Sequence, residues 1–184
     1  MATTTRLTTV EDLEQHGVPE GRWELIDGKL VELALSSEQH WTIGSALIYR
    51  ISAYVVPRQL GIVLTPDAGV VLSTDPSVMR VPDGGFIRAD RLPAGRDRRR
   101  FLRVVPDLVV EIISPNDRAA EVIAKGMMWL EAGVTLFWLV DPDAETVTVF
   151  ERGRGPRTLT VKDTLDGGDV LPGFQLPLRD VFSA

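Results

Sequence analysis

Three side chains have the types and spacing to do chemistry together: Asp83 in "VPDGGF", Glu111 in "VVPDLVVEIISPND" and Lys125, fourteen residues beyond Glu111. A carboxylate inside an apolar run is costly to withdraw from water and persists only if it is protonated, paired or bound to a cation. Strand alternation puts Asp107, Val109, Glu111 and Ile113 on one face, with Leu108, Val110 and Ile112 on the other. Either Glu111 lines a cation site, or that face is solvent-exposed and Val109 and Ile113 are exposed with it. Asp83, twenty-eight residues earlier, reads either as a turn aspartate after Pro82 or as a second acid on a neighbouring strand. Two such acids suit Mg²⁺ or Mn²⁺, which take oxygen ligands and retain waters. An ion held there would stabilise charge developing on a phosphate and lower the pKa of an attacking water. Lys125 either positions that water and balances charge, or snorkels from the edge of a helix.

The rest of the composition narrows the chemistry. There is no cysteine, which removes disulfides, thiolate zinc sites and cysteine nucleophiles, and with His16 and His40 alone a multi-histidine metal site is excluded. The net charge of -6 argues against a general nucleic-acid coat. Local charge differs: Arg88, Arg91, Arg96, Arg98, Arg99, Arg100 and Arg103 face only Asp90 and Asp97 in their segment, a net +5 that leaves -11 for the remainder. That segment reads as a solvated loop or as a phosphate-contacting patch. At 184 residues and 44% hydrophobic, the chain has the size of a single domain over 1–184. No apolar run approaches the ~20 residues of a membrane span, and "MATTTRLTTVEDLEQHGVPEG" lacks the apolar stretch of a secretory signal. A cytoplasmic protein is expected.

The positioning elements read as an α/β mixture without repeats. Thr9 is a candidate cap for a short helix that Gly17 stops. "GRWELIDGKLVELA" reads as a hairpin turning at Asp27-Gly28. Ser36 or Ser37 opens a long helix whose Ile43, Leu47, Ile51 and Val55 share one face, and Pro57 and Gly61 end it. "GIVLT", "AGVVLS", "GGFIRA", "DLVVEIIS", "TLFWLVDP" and "TVTVFERG" are strand candidates, and a looser tail ends in "VLPGFQLPLRDVFSA". A second helix is expected from about Asp117 to Ala132, capped by Asn116 or Asp117 and stopped by Gly133, with Ala119, Val122, Ile123, Gly126, Met127 and Leu130 facing inward.

"GRWELIDGKLVEL", "SSEQH", "VPDGGFI", "PDLVVEIISPNDR", Lys125 and "GVTLFWLVDPDAETVTVF", in that order, resemble the Uma-type bacterial family of the PD-(D/E)XK restriction endonuclease-like superfamily. The resemblance covers about residues 21–150, which would form the core, with 151–184 as a C-terminal extension packing on it. It implies an α/β (α+β) fold: a mixed central β-sheet flanked by helices. Asp83 matches the first acid of the superfamily motif and Glu111 the second, but Ile113 stands where the motif lysine belongs. In the Uma-type pattern a lysine of the succeeding helix replaces it, and Lys125 is its match. The resemblance further implies Glu24 of "ELIDG" as a supporting acid, the carbonyl of Ile112 as a further metal ligand, and Gln39 and His40 as groups orienting substrate or water. Arg88, Arg98, Arg99 and Arg100 would contact the DNA backbone. A metal-dependent endonuclease acting on DNA is the expectation, with a homodimer pairing two sites across a duplex as the analogy the superfamily offers. The alternatives are a non-catalytic nucleic-acid-binding or protein-interaction module on the nuclease fold, and a hydrolase of another phosphate ester.

Overall fold

The computed structural model describes residues 8–115, 117 and 119–183. Helix α1 (Val10–His16) begins where expected: Thr9 and Asp12 close a reciprocal capping box, each side chain accepting from the other's backbone N–H at 3.0 Å. Strands β1 (Trp23–Ile26) and β2 (Lys29–Glu32) turn at Asp27 (φ 50°) and Gly28 (φ 74°), both in the left-handed region that a two-residue hairpin of this hand requires. Helix α2 (Glu38–Val55) is capped by Ser37, whose Oγ accepts from the His40 N–H at 3.3 Å, and buries Ile43, Leu47, Ile51 and Val55.

Then follow β3 (Gly61–Leu64), β4 (Val70–Thr74), β5 (Ser77–Arg80), β6 (Gly84–Arg88) and β7 (Leu108–Ile112). Helix α3 (Ala119–Ala132) crosses over to β8 (Leu136–Asp141), followed by β9 (Thr146–Glu151) and β10 (Arg157–Thr160). The chain closes with β11 (Thr164–Gly167), β12 (Leu171–Pro177) and the short α4 (Arg179–Phe182).

The central sheet has six strands in the order β10-β9-β8-β7-β6-β3, mixed because β7 and β8 run parallel while the other pairs are antiparallel. Helices cover both of its faces, so this is the α+β fold with a mixed central sheet that the motif order implies. One face packs Phe86, Leu108, Val110, Ile112 and Trp138 against α2 and the β11–β12 hairpin; the other packs Ile87, Val109 and Phe137 against Trp129 of α3. A second, four-stranded antiparallel sheet, β2-β1-β5-β4, stands beside it and carries Glu24 on β1. Among the described residues no helix is long and apolar enough to cross a membrane.

The structure departs from sequence expectation in three places. Every residue of β7 is buried, so the exposed alternative for Glu111 fails; a central strand covered on both faces leaves no solvent side. On α3 the inward stripe is rotated from expectation: Ile123 and Met127 are 59% and 48% exposed, while Trp129 and Gly126 are buried and Lys125 lies half-buried beside them. The tail is ordered strand and hairpin, its Leu165, Leu171, Phe174, Leu176 and Val181 completing the core under α2; Gly and Pro punctuation had hidden the alternation. Asn116, one of two expected α3 caps, lies outside the described residues; Asp117 accepts the Ser114 N–H at 2.7 Å and ties the strand exit to the helix approach.

Gly126 sets how closely α3 lies on the sheet. A Cβ there would stand 2.6 Å from Cε1 of Phe137, a ring held in the core. Gly126→Ala is expected to destabilise the protein by about 1–3 kcal/mol through overpacking. Chemical denaturation would show this as a lowered midpoint at unchanged slope.

Candidate active site

The β6–β7 register pairs Gly84 with Val110 and Gly85 with Val109, so continuing it one residue brings Asp83 opposite Glu111. Directly opposed residues of an antiparallel pair have Cβ atoms ~5 Å apart, which puts the two carboxylates on one face at the end of the sheet. That face is the one α3 covers. Asp83 Oδ2 accepts the Ile112 N–H at 2.9 Å and lies 3.2 Å from His40 Nε2, a contact delivered by the first turn of α2. Asp83 is thereby fixed by backbone and side chain together.

Glu111 is only 5% exposed. Its Oε1 accepts from Trp129 Nε1 at 2.7 Å and its Oε2 lies 2.9 Å from Lys125 Nζ. Lys125 and Trp129 are four residues apart on α3, so one helix face presents both donors to the same carboxylate. Lys125 Nζ also lies 3.3 Å from Glu24 Oε1 and donates to the Val81 carbonyl at 3.4 Å. Glu24 is held in turn by Arg80 at 2.7 Å and by the Val81 N–H at 3.1 Å. Three elements remote in sequence, β1, β7 and α3, therefore converge on one ammonium group. The cleft has a volume of about 210 Å³ and is walled by Arg22, Glu24, His40, Asp83, Glu111 and Lys125.

Burial sets the electrostatics. It pushes Glu111 up to about 7, helped by the nearby Asp83 charge and opposed by Lys125 and the Trp129 N–H. Burial acts on Lys125 in the opposite sense, but the Glu111 and Glu24 carboxylates outweigh it and hold the ammonium charged well above its ordinary pKa. For Asp83 burial is again the largest influence and raises its pKa, yet His40, the Ile112 N–H and Lys125 together bring it below the ordinary value. Near neutral pH Asp83 is thus ionised while Glu111 is poised between charged and neutral.

The structure brings Asp83, Glu111, Lys125, Glu24, His40 and Ile112 together at this cleft. It places Gln39 elsewhere: its Nε2 donates to the Pro142 carbonyl at 3.4 Å, in a separate cleft with Pro115 and Phe182. Arg88 lies five residues along β6 from Asp83, about 17 Å of strand, and pairs with Asp107 at the far end of the sheet. Arg98 and Arg100 line another groove with Arg96 and Phe101, while Arg99 folds onto Asp97. Two participants escaped sequence reasoning. Neither Trp129 nor Arg22 is singled out by the sequence, although the spacing of Arg22 from Glu24, two residues along an extended segment, puts both on one face.

Among the described residues no three His, Asp or Glu side chains are grouped to hold a metal, because the Lys125 ammonium stands between Glu24 and Glu111. Asp83 and Glu111 nevertheless supply two all-oxygen ligands at one cleft, and among the described residues Asp83 Oδ1 accepts no hydrogen bond, its near neighbour being Arg22 at 3.7 Å. One or two carboxylates completed by water is how Mg²⁺ is commonly held, so the residues fit.

Comparison with known proteins bears on the family and the fold. A family described as "Uma2: Putative restriction endonuclease" matches residues 10–179. No curated protein matches the sequence. Among solved structures, the chain resembles a "putative nuclease belonging to DUF820" from Anabaena variabilis ATCC 29413, at 22% identity and a TM-score of 0.79, over 95% of this chain and 97% of that one. At that identity the likeness is one of fold.

Proposed function

The chain belongs to the Uma2 family, and from that membership and the chemistry of the cleft we propose that it is a metal-dependent endonuclease hydrolysing phosphodiester bonds of DNA. The observation that carries this reading is the convergence of Asp83, Glu111 and Lys125: two opposed acids at a sheet end, with an ammonium 2.9 Å from the second. Asp83, Glu111 and the Ile112 carbonyl are the groups that would hold Mg²⁺ or Mn²⁺, with water completing the shell. Such an ion supplies Lewis acidity toward the phosphate and a lowered pKa for bound water.

The other roles follow from the chain's own contacts. Lys125 keeps its proton, so it serves as a fixed positive charge that orients water and faces the developing phosphorane charge, and not as a base. Glu24 anchors that ammonium, and Arg80 anchors Glu24. His40 holds Asp83 in place. Arg98 lines the separate groove with Arg96 and Arg100, and Arg88 is committed to Asp107, so the phosphate contacts at this cleft fall to its own residues.

A pH profile follows from Glu111. Only its ionised form binds a cation, so cleavage is expected to rise with pH through about 7, falling about tenfold per unit below it. Because metal competes with the proton, raising Mg²⁺ should move the midpoint to lower pH. Stability runs the other way. The folded state holds this proton more tightly than the unfolded chain, whose value is near 4.5, so Glu111's stabilising contribution is complete below that pH and is lost as pH rises through about 7. Initial rates from pH 5.5 to 8.5 at two Mg²⁺ concentrations check both the slope and the shift.

The test of the proposal is incubation of supercoiled plasmid with purified protein in Mg²⁺, Mn²⁺ or EDTA. Nicking in the first two and none in EDTA is expected. Intact plasmid throughout, with no heat of metal binding by calorimetry, would overturn it.

A further inference from the structure

The cleft contains a guanidinium that its own fold leaves under-used. Arg22 immediately precedes β1, and its side chain, about a quarter exposed, lines the cleft. Of its five N–H donors, one from Nη2 goes to the Pro66 carbonyl at 3.0 Å, and Nε is buried with no acceptor. Asp83 Oδ1 lies 3.7 Å away, too far for a hydrogen bond, while the other oxygen of Asp83 is committed to the Ile112 N–H and His40. Arg80, on the same small sheet, is a useful contrast. It too has a buried Nε without an acceptor, but its Nη1 grips Glu24 at 2.7 Å and the residue does not line the cleft. Arg22 alone of the two faces open space with donors to spare.

We infer that Arg22 is the phosphate-gripping residue of this cleft, its guanidinium fork receiving the non-bridging oxygens of a phosphodiester between itself and Lys125. A planar fork suits paired phosphate oxygens in a way an ammonium does not. With Arg22 beside Asp83 and Lys125 beside Glu111, an anion entering the cleft meets two cations and not the acids alone. Only the identity of the ligand rests on the nuclease reading above; the anion site rests on the unused donors.

The test measures binding apart from turnover. Wild type, Arg22→Met, Arg22→Lys and the remote control Arg154→Met would be titrated with a fluorescent 20-base-pair duplex in Ca²⁺, with cleavage checked on the same samples, and with inorganic phosphate by calorimetry. Arg22→Met is expected to weaken duplex binding at least tenfold and to lower the slope of log affinity against log salt by about one. Arg22→Lys should recover the slope but only part of the affinity, and Arg154→Met should match wild type. If Arg22→Met binds duplex and phosphate like wild type, whatever its melting temperature, Arg22 is a clamp on the Pro66 loop and the inference fails. Wild type binding phosphate through Arg22 without cleaving DNA would uphold this site and remove the nuclease reading. Cleavage with unaltered binding in Arg22→Met would do the reverse.

Discussion

Glu111→Gln is expected to lower the cleavage rate about a thousandfold while the protein stays folded. The rate loss follows from removing a carboxylate that holds the cation: about 4 kcal/mol of transition-state charge stabilisation corresponds to that factor. The retained fold follows from the site itself. Near neutral pH Glu111 already spends much of its time protonated, and glutamine copies that form in shape and charge. The amide oxygen can still accept the Trp129 N–H that now reaches Oε1 at 2.7 Å, and Lys125, which would meet the amide NH2 where Oε2 now stands, can turn to the Glu24 carboxylate at 3.3 Å. Single-turnover kinetics beside a thermal melt separate the two effects. A melt shifted down by many degrees would show instead that the charge is structural.

Lys125→Met is expected to act on stability and rate together. The methionine fills similar space but leaves Glu111, which is buried, without its cation and Glu24 with Arg80 and the Val81 N–H. Removing one partner from a buried ion pair typically costs about 3–5 kcal/mol, although Glu111 limits this by taking up a proton. That protonation is itself the second effect: with the ammonium gone, the pKa of Glu111 rises further, and less of the protein can bind metal at neutral pH. A rate loss of at least about a hundredfold is expected, with the pH midpoint displaced upward. Lys125→Arg should retain the fold better than Lys125→Met without restoring the rate, since the longer fork cannot place its charge where Nζ now stands. An Lys125→Met protein with wild-type kinetics would remove the lysine from the chemistry.

These expectations explain why the site was only partly legible from the chain. Glu111 could be found because it breaks an apolar strand, where a carboxylate demands a reason, and Asp83 because it stands at the edge of a strand candidate and matches the first acid of the motif. The helix N-caps at Thr9 and Ser37 and the Asp27-Gly28 turn were legible because their determinants are local, within four residues of one another. The phase of α3 was not. An inward-facing lysine contradicts an apolar stripe, and the charges that stabilise it, Glu24 and Glu111, come from strands 101 and 14 residues away in the chain. Nothing in the sequence linked Trp129 to the site; the fold brings its N–H onto Glu111. The same holds for the arginines of 88–103: as a run of charge they suggest a binding patch, yet Arg88 and Arg91 neutralise Asp107, and Arg100 and Arg103 pair with Glu14 of α1. Local charge density could not show which of them remain free.

The most direct single measurement is cleavage of a duplex oligonucleotide in Mg²⁺ by wild type and Glu111→Gln, purified side by side, under single-turnover conditions. Wild type should cut and the variant should be about a thousandfold slower with an unchanged melting temperature. Equal rates in the two proteins would show that the Asp83–Glu111–Lys125 cleft is not where the phosphodiester is broken.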